Sequence, residues 1–239
     1  MAVDLEVCVD TIDGVAAAQA GGAARVELCA ALSEGGLTPS LGLMREAARF
    51  DVPCYAMIRP RAGLFCYSQA EVAVMIADVE AARDAGLAGV VIGAQDATGA
   101  LDAEVLGWLM DVGLPATLHR VIDVVPDWRA AIDLAVEVGI ERVLTSGGAA
   151  KAMDGAERLA QMVDYADGRL SVMAGSGVSA GNVAELVALT GVTEVHASCA
   201  VVAQGDAAFS NFDPVGGRKV TDAGVVRGVV AVLGKLPVC

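Results

Sequence analysis

"GAARVELC", residues 22–29, carries the spacing that decides the fold: a glycine, then a valine four residues on. The same spacing returns at Gly86 and Val90, at Gly139 and Val143, and at Gly191 and Val195. The copies lie about 50 to 65 residues apart, the length of two βα units. Each glycine is expected to end a helix as a left-handed C′ residue, and each valine lies in a strand. Working outward, Val/Ile-rich runs predict strands at 3–8, 25–29, 54–59, 89–93, 115–119, 142–146, 170–174 and 194–198. The glycine repeat falls on the even ones, and Pro53 and Pro115 open strands three and five. Between the strands, Ala-rich segments predict helices at 11–20, 40–49, 69–85, 102–112, 127–138, 150–166, 180–190 and 221–233, with Ser68 and Glu71 as a capping box for the third.

About eight βα units in a chain of this length predict an α/β fold, a (β/α)8 TIM-type barrel. Residues 1–239 form a single domain in this reading, with an excursion over 200–220 before the last helix. A chain of 239 residues, 55% hydrophobic and only 4% aromatic, suits a core of Ala, Val and Leu under covering helices. The net charge of −14 and the lack of a Lys/Arg cluster exclude a nucleic-acid phosphate tracker. Mean hydropathy is high, at +0.58, yet charges interrupt every run long enough for a membrane helix. The opening MAVDLEV is acidic where a signal peptide is basic. The expectation is a cytoplasmic protein without nucleic-acid or membrane partners. Its six cysteines (8, 29, 54, 66, 199, 239) have no zinc spacing and are expected as free thiols.

Strand side chains alternate. Aligned on the glycines, the even strands present one apolar face, Val26/Leu28, Val90/Ile92, Val143/Thr145 and Val195/Ala197, for the helices. The other face points into the barrel. It places Glu27, Val91, Leu144 and His196 in one layer, and Cys29, Gly93, Ser146 and Ser198 in the next, nearer the C-terminal mouth. In "LEVCVD", residues 5–10, Glu6 and Cys8 point inward by the same alternation. Cys8 and Cys29 are thus expected as neighbours at the mouth, above Glu6 and Glu27.

Active sites of this fold lie at the C-terminal strand ends. There "MIRPRAG" (57–63) brings Arg59 and Arg61, and "LHRVID" (118–123) brings His119, Arg120 and Asp123. The "TSGG" (145–148) and "AGSG" (174–177) turns bring Ser146, Gly147, Gly148, Gly175, Ser176 and Gly177, whose N–H groups with Ser198 could cradle an anion. Any one inward Glu or His can be a structural core pair. The whole set argues for a ligand, because unpaired buried charge is costly.

The segments "LEVCVD", "GGAARVELCAALSEGGLTPSLG" (21–42), "MIRPRAG", "GVVIGA" (89–94), "HRVID" (119–123), "RVLTSGG" (142–148) and "VMAGSGV" (172–178) closely resemble the CutC family, named for copper homeostasis. The resemblance spans roughly residues 4–200. It implies a cytoplasmic TIM-like barrel, a homodimer or larger homo-oligomer, and copper(I) held by Cys8 and Cys29. The chain departs from the family pattern at Leu64, where an acid is usual, at Ala174 and Ser176, where Pro and Gly are usual, and at Ala200, where an Arg is usual.

Two functions follow. In one, the soft thiolates of Cys8 and Cys29 bind Cu(I). In the other, the barrel is an enzyme on a small phosphorylated or carboxylated metabolite. Arg59 and Arg61 then hold the anion. Glu6, Glu27, His119 and His196 are acid/base candidates for isomerase, epimerase or lyase chemistry, with Asp123 orienting His119. The three lysines, Lys151, Lys219 and Lys235, miss the strand ends, which disfavours a Schiff base. No dinucleotide fingerprint is present. No motif marks a carboxylate-bound divalent metal, although Glu6, Glu27 and a histidine offer ligands. A pure scaffold would leave the charged lumen unexplained.

Overall fold

A computed structural model describes residues 3–203 and 217–236. Among them, eight parallel strands close into a barrel in chain order: β1 (Asp4–Val9), β2 (Arg25–Leu28), β3 (Cys54–Met57), β4 (Gly89–Ile92), β5 (Ala116–Leu118), β6 (Arg142–Thr145), β7 (Ser171–Ala174) and β8 (Glu194–Ala197). β1 closes the ring by pairing with both β2 and β8. Eight helices wrap it: α1 (Ile12–Gly21), α2 (Leu41–Ala47), α3 (Gln69–Ala85), α4 (Ala103–Met110), α5 (Trp128–Glu137), α6 (Ala156–Ala166), α7 (Val183–Thr190) and α8 (Ala223–Leu233). The fold is the (β/α)8 barrel that the glycine repeat implied.

Local chemistry sets the helix ends. Gly22, Gly86, Gly139 and Gly191 all take positive φ, between 70° and 88°, directly after α1, α3, α5 and α7 or one residue on. The Ser68–Glu71 capping box opens α3. Two helices start three or more residues later than their sequence suggests. α6 begins at Ala156 rather than 150, because the 147–155 turn folds back on β6 so closely that a Cβ on Gly155 would lie 2.0 Å from the Ser146 carbonyl oxygen. α7 begins at Val183 rather than 180. The Asn182 side chain binds Ser179 N and Gly177 O, 2.8 Å each, and holds that stretch as a turn.

The expected excursion before the last helix contains β9 (Ala200–Val202) and β10 (Lys219–Thr221), paired antiparallel outside the barrel. Residues 204–216 of it, and Cys239, lie outside the described residues. The five described cysteines are free thiols. No helix among the described residues is long and apolar enough to cross a membrane.

Outward strand residues Val7, Val26, Leu28, Val90, Ile92, Val143 and Val195 are sealed under Val15, Met75, Leu106, Ile132, Leu159, Leu186 and Val229 of the helices. Burial of each such side chain stabilises the fold by about 1.5–3 kcal/mol. The lumen is different. In-register partners share a face, so Glu6↔Arg25, Cys8↔Glu27, Glu27↔Tyr55, Val91↔Thr117, Leu144↔Met173 and Glu6↔His196 trace one inward set around the ring.

The lowest lumen layer is an ionic floor that the sequence reading did not place. Arg25 binds Glu6 and, at 2.5 Å, Glu194; Arg142 binds Glu194 at 3.2 Å. Both guanidinium groups lie over the Tyr55 ring, 5.5 and 5.2 Å from its centroid. Gly89 leaves room for that ring, since a Cβ there would come within 2.3 Å of it. Glycine-aligned alternation begun one residue before each valine would have turned Arg25, Gly89, Arg142 and Glu194 inward; starting at the valine hid them.

Candidate functional site at the barrel mouth

Above the floor, a cavity of about 590 Å3 opens at the C-terminal end of the strands. That is the volume range of small-molecule sites. Cys8, Glu27 and His196 line one part of it, and Arg59, Phe65, His119, Arg120 and Asp123 line another.

The first group stands on β1, β2 and β8. One ligand-type atom from each of Cys8, Glu27 and His196 lies within 4.8 Å of the others. His196 Nδ1 bonds Glu6 Oε1 at 2.8 Å, and Glu6 is anchored from below by Arg25. Burial would raise the Glu6 carboxyl, but His196 and Arg25 outweigh it and hold it at about 2. Glu6 is therefore a carboxylate that fixes the imidazole and leaves Nε2 free. Burial likewise opposes charge on His196, but Cys8, Glu27 and Glu6 outweigh it and push its pKa well up. Nε2 is 3.8 Å from Glu27 Oε2, too far for a hydrogen bond. Glu27 Oε1 is buried without a partner among the described residues. Burial, aided by the Glu6 charge, raises the Glu27 carboxyl.

Cys29 sits beside this group but is sealed off from the cavity. It is fully buried, its thiol donates to Glu27 Oε2 at 3.5 Å, and the Gly36 backbone covers it. Burial and the neighbouring Glu27 raise its pKa well above the ordinary thiol value. Cys8 is half-buried and lines the cavity.

In the second group, the Arg59 guanidinium donates to the carbonyls of Glu34, Gly36 and Gly63. His119 packs over Gly93, where a Cβ would meet its Cε1 at 2.3 Å, and against Phe65, with ring centroids 4.7 Å apart. Burial and the Arg59 charge lower its pKa to about 3, so the ring is neutral.

Three expectations are corrected here. Asp123 does not orient His119: His119 Nδ1 instead accepts from Val121 N at 3.1 Å. The Asp123 carboxylate turns into the 145–148 turn, accepting from Thr145 Oγ1, Ser146 N and Oγ, Gly148 N and Arg120 Nε. The Ser146-Gly147-Gly148 cradle thus already holds an anion, the chain's own Asp123, and Gly147 N is taken by Thr145 Oγ1. Arg61 does not share a fork with Arg59. It binds Glu71 and the carbonyls of Leu64 and Cys66, because β3 ends at Met57 and strand alternation no longer governs the bends after it.

In the other glycine turn, Gly175 packs against Leu144 inside the barrel, where a Cβ would lie 2.5 Å away. Ser176, at φ 80°, and Gly177 line the cavity, and Ser176 Oγ donates to Ala150 O. Ser198 is at the exposed rim. The sequence reading missed Phe65 and Glu34, which also line the mouth. Phe65 stands two residues beyond the quoted "MIRPRAG", and nothing local marked either as a lining residue.

The CutC family model matches residues 3–201. A CutC family protein of Caulobacter vibrioides is 57% identical over 196 residues, 81% of this chain and 80% of that protein. One from Sinorhizobium medicae is 49% identical over 243 residues, covering 97% of this chain and 96% of its own length. The crystal structure of CutC from Streptococcus agalactiae, a protein named for copper homeostasis, superposes with a TM-score of 0.79 at 30% identity, over 82% of this chain and 98% of that one.

Proposed function

The chain belongs to the CutC family, and from that premise we propose that it takes part in copper homeostasis by binding copper(I) at the barrel mouth through Cys8, His196 and Glu27. One observation carries the reading: a thiol, an imidazole and a carboxylate oxygen converge within 4.8 Å. Thiolate and imidazole suit Cu(I). Glu6 supplies the outer support that orients a ligating histidine, and Glu27 supplies a compensating charge.

This ligand set differs from the Cys8–Cys29 pair that the resemblance implies. Cys29 is sealed beneath Gly36 and engaged with Glu27, so it stands behind the site rather than at it. The competing reading, an acid/base enzyme, draws on Glu6, Glu27, His119 and His196; His119 lacks the carboxylate partner an acid/base histidine would use, and His196, which has one in Glu6, belongs to the proposed metal set. The reading carries with it a cytoplasmic setting, which five free thiols suit. The homo-oligomer expected from the resemblance is a question for sedimentation.

Anaerobic chelator competition with Cu(I), and with Zn(II) as comparator, tests the ligand set. Cys8→Ser and His196→Gln should each weaken Cu(I) tenfold or more, and Cys29→Ser much less. If Cys29→Ser costs as much as Cys8→Ser while His196→Gln costs nothing, the two-thiolate arrangement replaces this one. Binding indifferent to all three substitutions removes the metal reading.

A further inference from the structure

The Arg59–His119 part of the mouth is not used by the metal reading, and its polar groups are incompletely matched. Arg59 is 8% exposed and no carboxylate among the described residues pairs with it; its Nη atoms meet carbonyl dipoles alone. Its Nε is buried and makes no hydrogen bond among the described residues. Among the described residues the guanidinium charge has no counter-ion, an arrangement costly in a buried place.

His119 adds a second, independent sign. It is 3% exposed and its Nε2 has no hydrogen-bond partner among the described residues. Because Nδ1 accepts from Val121 N, the proton of the neutral ring must sit on Nε2. The result is an N–H donor without an acceptor, on a ring fixed by Gly93 and Phe65. Phe65 also packs against Arg59, whose Cζ is 5.2 Å from the ring centroid, so one aromatic ring braces both groups.

We propose that Arg59 and His119 form a carboxylate subsite for a small organic acid, in the same cavity as the Cys8–Glu27–His196 group but independent of it. A fixed cation and a neutral N–H suit a planar monoanionic carboxylate. A phosphate dianion is poorly served. The backbone N–H groups of the 146–148 turn that would cradle it are filled by Asp123, and Glu34 stands at the rim. This inference does not rest on metal binding, and its test is run without metal.

Full-length protein, stripped on a chelating resin, is titrated calorimetrically with acetate, pyruvate and succinate, and with inorganic phosphate as comparator. At least one carboxylate should saturate, phosphate should not, and Arg59→Gln and His119→Phe should each weaken the binding tenfold or more. The His119→Phe change keeps a ring against Phe65 and deletes the donor. Wild-type NMR gives a readout that does not depend on the variants folding: the His119 Nε2–H resonance should shift as the site fills. No carboxylate binding, phosphate binding as tightly, undiminished binding in both variants, or an unmoved resonance would each overturn the subsite. Failure of Cu(I) binding would leave all of these readings intact.

Discussion

The floor and the mouth of this barrel use the same kinds of residue and treat them in opposite ways. On the floor, Arg25, Arg142, Glu6 and Glu194 are cross-paired, with both guanidinium groups over the Tyr55 ring. At the mouth, among the described residues, Glu27 Oε1 and His119 Nε2 have no partner and Arg59 has no carboxylate. Charge in a lumen is thus not itself a mark of function. What separates the two levels is satisfaction: a closed network fills space and holds the strands in register, whereas an open one leaves polar groups that a bound molecule could match. Glu6 joins them, taking Arg25 from below and His196 from above.

The largest expected effect breaks the floor. Arg25→Ala leaves Glu6 and Glu194 without their shared cation and should destabilise the fold by about 3–5 kcal/mol, read as a lowered urea midpoint. A loss under about 1 kcal/mol, the level of an exposed ion pair, would show that the floor is no more tightly coupled than a surface pair and dissolve the contrast.

A smaller effect sharpens the mouth. His119 is buried neutral with its pKa at about 3, whereas in the unfolded chain it titrates near 6.5. Between those values the unfolded chain binds the extra proton. The stability that His119 contributes is therefore present above about pH 6.5 and lost as pH falls toward 3. Urea titrations at about pH 6.5 and pH 5 should show wild type losing up to ~1.4 kcal/mol per pH unit more than His119→Gln. Equal slopes would mean that His119 is protonated in the fold, and Nε2 would no longer be a neutral donor. The smallest effect belongs to Arg61→Ala. With the guanidinium turned to Glu71 and half exposed, Cu(I) and carboxylate affinities should stay within twofold of wild type. A tenfold loss of either would return Arg61 to the site.

How far the site could be read in advance depended on the element bearing each residue. Cys8, Glu27 and His196 lie on strands or their last residues, and alternation alone turned them inward together. Alternation begun at Val26 rather than Arg25 missed the floor, although the same rule covered it. Past the strand ends the rule has no hold. Arg61 left the mouth, Asp123 went to the 145–148 turn instead of His119, and Gly36 came down over Cys29.

The sequence by itself determined the barrel, its strand order and which strand residues face the lumen. Those follow from helix-ending glycines and a two-residue side-chain period, both local properties of the chain. Only the tertiary structure decided which buried donors find acceptors and which are left without. That outcome depends on loops from different strands meeting over the mouth, and no local period encodes where a carboxylate on one loop will find its partner on another.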